Sequence, residues 1–137
     1  MEGFRLELAA LRVRLAIGYA SQLPKERRGK LIREARRMQA IIAKRDWANR
    51  RLYVNLFRCN LAMLRGERTD ALAALRAIAA DEVTDLWLGR ECARIVAGQM
   101  IGDRDLEALG RANIERQGCV VSEGVVRLFF PVPASGR

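Results

Sequence analysis

The residues able to do covalent or metal chemistry are few, and their spacing argues against each chemistry in turn. Cys59, Cys92 and Cys119 stand 33 and 27 residues apart with no CxxC pair, which indicates neither a zinc ribbon nor a redox dithiol. They read as small buried hydrophobes in a reducing compartment. The chain contains no histidine, which removes Ser-His-Asp and Cys-His catalysis, histidine acid–base work and every histidine-containing zinc site. Asp103, Asp105 and Glu107 match neither a calcium loop nor a carboxylate pair set for hydrolysis. Asp103 reads instead as a helix cap. No Gly-rich phosphate loop, HRD or DFG motif is present, so no phosphoryl-transfer machinery is expected. The expectation is a protein that is not an enzyme, with no catalytic, cofactor or metal residues.

What remains is the chemistry of charge. The net charge is +9, and it is unevenly placed: residues 1–66 hold 16 Lys/Arg against 5 Asp/Glu, residues 67–137 hold 9 against 11. Between Lys25 and Arg51 lie 11 basic residues and only Glu26, Glu34 and Asp46. Lys30, Arg33, Arg37 and Lys44 fall at helical steps on one face. This stretch nominates Arg33, Arg36, Arg37, Lys44, Arg50 and Arg51 as partner-binding residues. An acidic protein surface is the first expected partner and nucleic acid the alternative. Trp47 lies near the end of the stretch and Tyr53 just beyond it, so aromatics do not alternate with the basic residues, and no zinc-finger, RNA-recognition or homeodomain signature appears. No run reaches the roughly 18 apolar residues of a membrane span, so no span and a cytoplasmic location are expected.

Charged side chains need elements to hold them, and the pattern is helical throughout. The 137 residues suit one domain, and the 50% hydrophobic and 6% aromatic content, rich in Ala, Leu and Arg, favours helix over strand. A first helix is expected from Glu2 to Ser21, marked by Leu8, Leu11, Leu15 and Tyr19. A second runs from Pro24 to Arg45 on Leu31, Ala35, Met38 and Ile42. A third, capped by Asp46, reaches Arg65 with Leu52, Leu56, Cys59 and Met63, and Tyr53, Phe57, Leu61 and Leu64 broaden its apolar surface. Gly66 fits a helix-ending position. A fourth spans Arg68 to Ala80, a fifth runs from an N-cap at Thr84 to Ile101, and a sixth runs from the Asp103 cap to Gly118. A short helical turn from Ser122 precedes Phe129 and Phe130, which are expected to seal an end of the stack. The domain is expected over residues 1–133, with 134–137 a frayed tail.

The segment around Gly66, Arg65-Gly66-Glu67-Arg68, returns 36 residues later as Ile101-Gly102-Asp103-Arg104. The step is close to the about 34-residue tetratricopeptide period. With Leu61-Ala62, the Gly66 turn and Ala71-Leu72-Ala73-Ala74-Leu75, the stretch Asn55 to Asp81 resembles a tetratricopeptide hairpin. Across Leu52 to Pro133 the chain is similar to the C-terminal repeat region of bacterial eukaryotic-like serine/threonine kinases. The matching residues are Ala112, Ile114, Gln117-Gly118, Arg127, Leu128 and Pro131. Ser122-Glu123-Gly124 and Pro131-Val132-Pro133 depart from that pattern. The paired helices and the echo point to all-α antiparallel hairpins stacked as a short solenoid, about six helices plus a C-terminal turn, with an ordinary helical bundle as the alternative. The resemblance implies a non-enzymatic protein–protein interaction module within a larger bacterial signalling protein or assembly.

Overall fold

The computed structural model describes residues 2–82 and 86–134. Among them the chain forms helices α1 (Glu2–Ser21), α2 (Gly29–Ala43), α3 (Arg50–Arg65), α4 (Arg68–Ala79), α5 (Trp87–Ile101), α6 (Arg104–Arg116) and α7 (Glu123–Phe129), and no strand. A single 3-10 turn, Lys25–Arg27, follows Pro24. Proline fixes φ but offers no N–H, so the chain makes this tight turn before α2 begins.

The echo at Gly66 and Gly102 has a common physical cause. Both close a helix in the left-handed region, each at φ +73°, a conformation that costs glycine nothing and L-residues about 1 kcal/mol or more. Each hands the chain to a return helix within two residues. Asp103 caps α6 by accepting from Leu106 N at 2.9 Å, and Ser122 caps α7 by accepting from Val125 N at 3.3 Å. The second helix, expected from Pro24, begins only at Gly29 after the 3-10 turn, and the start of the third also differs from expectation. Asp46 does not cap α3, which starts at Arg50 after Asn49, because residues 44–49 turn away before the helix forms. The expected N-cap Thr84 lies outside the described residues, and α5 begins at Trp87.

The helices pair in sequence as α1/α2, α3/α4 and α5/α6, with α3 also against α1 and α2, and α4 against α5. The pairs are antiparallel. Arg12 meets Glu34 while Arg45 meets Glu2, and Gln99 meets Glu107 while Asn113 meets Glu91. Small residues set the spacing. A Cβ on Gly98 would come within 2.7 Å of the Asp103 carbonyl, and one on Gly110 within 2.8 Å of the Glu91 carbonyl, so α5 and α6 approach at contact distance. The core runs through all three hairpins, from Leu6, Val13 and Ile17 through Leu52, Leu56 and Leu75 to Ile95 and Ile114.

The expected stripe of α1 is the wrong way round. Leu8, Leu11, Leu15 and Tyr19 point outward, and Leu6, Ala9, Ala10, Val13, Ile17 and Ala20 are buried. The alanines let neighbouring helices come close, which a row of leucines on that side would prevent.

The C-terminal segment also departs from expectation. Phe129 and Phe130 are buried, but across the stack rather than over one end of it. Asn60 of α3 donates to the Phe129 carbonyl at 2.9 Å, Arg14 of α1 lies over the Phe129 ring at 5.4 Å, and that ring packs on Gly89 of α5. Pro131 nests against Gly18 of α1. The segment therefore touches the first helix of every hairpin and fills the face they share. Ala134 is half-buried against the core rather than frayed; residues 135–137 lie outside the described ones.

Candidate binding face

All six nominated cations are exposed, and none forms an ion pair among the described residues. The structure divides them. On α2, Ala35, Gln39 and Ile42 face inward, which turns Arg33, Arg37 and Lys44 directly outward as a ridge. Arg36 lies about a quarter-turn away and lines a groove between α2 and α3. Arg50 and Arg51 open α3, where the Arg50 guanidinium donates to the Arg45 carbonyl at 3.4 Å.

That groove, of about 430 Å³, holds the features the sequence reading missed. Its floor is Val54, Phe57 and Leu61 of α3 with Ala40 and Ala43 of α2. Arg36, Arg58 and Arg65 form a cationic rim, and Glu67 and Asp70 close the end nearest α4. Arg51, Arg58 and Arg65 stand seven residues apart, two helical turns each, so they share one line along α3. That seven-residue spacing is the sequence signal for the line, although Arg58 and Arg65 lie beyond the dense basic run.

Gln39 is the second missed residue. It is only 6% exposed, lines the groove, and its Nε2 finds no acceptor. A buried amide donor left unanswered costs about 1–3 kcal/mol. An acceptor brought by a bound chain, a backbone carbonyl or a carboxylate, would recover that loss with a small rotation of the amide.

Gln39 shares this condition with Arg14 Nε, Asn60 Oδ1 and Arg90 Nε, which also lack a hydrogen-bond partner, while other interior polar groups are answered within the chain. Glu91, 3% exposed, receives Arg94 at 2.8 Å and Asn113 at 3.0 Å. The Tyr53 hydroxyl donates to Glu7, and burial together with that bond pushes it above the ordinary phenol range. Trp47 stacks on Tyr53 at 5.1 Å. Burial lowers the Arg14 guanidinium, which rests against the Tyr53 and Phe129 rings. The Arg111 hydrogen bond holds Glu107 below the usual carboxylate range. Burial pushes the Cys59 and Cys92 thiols up to about 12, away from the thiolate that nucleophilic chemistry requires. Among the described residues no three of His, Cys, Asp and Glu gather as metal ligands, and no helix is long and apolar enough to cross a membrane.

No family model, curated protein or solved structure matches the chain.

Proposed function

We propose that the chain is a non-enzymatic, tetratricopeptide-like interaction module that docks an acidic segment of another protein on the α2/α3 face. The observation that supports this most is the groove itself: an apolar floor, a rim of unpaired arginines and a buried amide with no acceptor. The face lined by α1, α3 and α5 is occupied by the chain's own C-terminal segment, whereas no described segment of the chain lies in the α2/α3 groove. Rigid helices hold the rim in fixed register, so little ordering is lost when a partner docks. The outer ridge of Arg33, Arg37 and Lys44 would steer that partner and quicken its approach. The setting is a larger bacterial signalling protein or assembly of the kind whose repeat region the sequence resembles.

Nucleic acid is the weaker reading. The ridge would suit phosphates, but the apolar floor of Val54 and Leu61 suits protein side chains better than a phosphate backbone. Capture of partners by the wild-type chain and by the Arg33→Glu, Arg37→Glu, Lys44→Glu variant, before and after nuclease, separates the two. Proteins held through nuclease treatment and released by the triple variant support the module. Retention that nuclease abolishes, with tight duplex or single-strand binding that falls steeply with salt, replaces it with the nucleic-acid reading.

A further inference from the structure

Of the ten large apolar side chains exposed among the described residues, six lie on the α1/α2 hairpin. Phe4, Leu8, Leu11, Leu15 and Tyr19, each 37% to 63% exposed, form one row along the outer arc of α1, at steps of three or four residues. Ile41 of α2 is the sixth. A notch of about 230 Å³ between the two helices, lined by Leu15 and Ala16 of α1 and Leu31 and Met38 of α2, carries the apolar surface from one helix to the other. A continuous exposed apolar surface of this kind marks an interaction site.

The charges bordering the row say what covers it. Arg12 of α1 reaches Glu34 of α2 at 3.4 Å, so Glu34 marks the side of α2 next to the row. Lys30 and Arg37 stand four residues before and three after Glu34, on that same side, and Ile41 follows at seven. Arg5 stands seven residues before Arg12, on the same edge of α1. Arg5, Lys30 and Arg37 are exposed, and none forms an ion pair among the described residues. The acids of the hairpin do not offset them. Glu34 is taken by Arg12 and Glu2 by Arg45 at 3.5 Å, Glu7 accepts from Tyr53, and Glu26 stands between Lys25 and Arg27 in the 3-10 turn. The face is thus apolar along its row and positive along the edge shared with α2. A second copy in a twofold contact would bring these cations against themselves. A layer of anionic headgroups over an apolar interior answers both features. The arrangement is that of an in-plane interfacial helix, whose apolar arc sits at the acyl boundary while its lysines and arginines reach the phosphates. Among the described residues no helix is long and apolar enough to cross the layer, so the contact stays at its surface.

We infer that the α1/α2 hairpin lies flat on an anionic lipid surface, with the outer row of α1 at the acyl boundary and Arg5, Lys30 and Arg37 at the headgroups. The inference is independent of the partner groove.

Co-sedimentation of the full chain with vesicles tests it, comparing equal parts phosphatidylcholine and phosphatidylglycerol with phosphatidylcholine alone. Binding is expected to the anionic vesicles and should fall as salt rises. Arg5→Gln with Lys30→Gln should weaken it by about tenfold or more. Leu8→Glu with Leu15→Glu should weaken it by about a hundredfold, and Leu109→Glu, on α6, should leave it unchanged. All these positions are exposed, so circular dichroism melts should match the wild type. Insertion has its own readout. In a Cys119→Ser background, with Cys59 and Cys92 buried, an environment-sensitive fluorophore on Leu11→Cys should enter an apolar surrounding when anionic vesicles are added. The same fluorophore on Leu109→Cys should stay in water. No binding to the anionic vesicles overturns the inference, as does equal binding to phosphatidylcholine alone. Binding that survives the two leucine changes, or that leaves the Leu11→Cys fluorophore in water, overturns it too. Self-association lost with those leucine changes, in a chain that ignores vesicles, gives the face to a second copy instead.

Discussion

Two long faces of this molecule began with the same problem and met different ends. The face made by α1, α3 and α5 is closed by the chain's own residues 129–134, with Asn60 bonded to the Phe129 carbonyl and Gly18 and Gly89 making room for Pro131 and the Phe129 ring. The face between α2 and α3 has no such occupant, and Gln39 is left with an unanswered donor under a rim of unpaired arginines. The closed face gives up binding capacity for stability. Both faces keep unanswered polar atoms, Arg14 Nε and Asn60 Oδ1 under the closed one and Gln39 Nε2 in the open one, but only the last lines a groove that a partner could enter.

The largest expected effect comes from emptying the closed face. Phe130 is 2% exposed, so Phe130→Ala should cost about 3–5 kcal/mol in denaturant unfolding; a loss below about 1 kcal/mol would show that the segment only rests on the surface. Alkali probes the same interior. Cys59 and Cys92 stay protonated in the fold up to about 12 against an ordinary value of 9.0. The unfolded chain therefore gives up those protons first, and stability should fall as pH rises from about 9 towards 12. A flat stability curve across that window would contradict the burial.

Next in size is a matched pair. Asn60→Leu removes the donor to a buried carbonyl and should destabilise by about 1–3 kcal/mol. Gln39→Leu removes a donor that has no acceptor, so its unfolding free energy should stay level or rise while partner affinity falls. Equal losses for the two would mean that Gln39 is bonded inside the fold and that the open groove carries no vacancy. The smallest effect is expected on the ridge. Arg33→Glu, Arg37→Glu and Lys44→Glu should each shift stability by less than about 0.5 kcal/mol, and a triple variant that fails to fold would show that α2 is covered there.

The boundaries set by local chemistry were legible in the sequence. Gly66 and Gly102 end helices because left-handed backbone needs glycine, and Asp103 caps because its carboxylate reaches the amide of Leu106. The all-helical class followed from periodicity. The inward side of α1 was not legible, since a helix apolar on both arcs gives two equally good stripes and only its alanines, small enough for close approach, mark the core. The path of the C-terminal segment was not legible either. The pairing of Phe129 with Asn60 spans 69 residues, and no local pattern encodes it. Of the candidate face, the basic run marks Arg36 but not Gln39, Arg58 and Arg65, because a groove is a relation between two helices rather than a property of either.

The crossing segment also governs the order in which the molecule can be built. Neighbouring hairpins close over short loops and can form as they are synthesised, but residues 129–134 leave the ribosome after every surface they cover. Until then Gly18 and Gly89 lack the Pro131 and Phe129 side chains that fill them, and Asn60 lacks its Phe129 carbonyl. The segment's final docking ties positions far apart in sequence, a slow, high-contact-order step. The coupling that this segment adds among the first helices of the three hairpins therefore forms after those helices themselves.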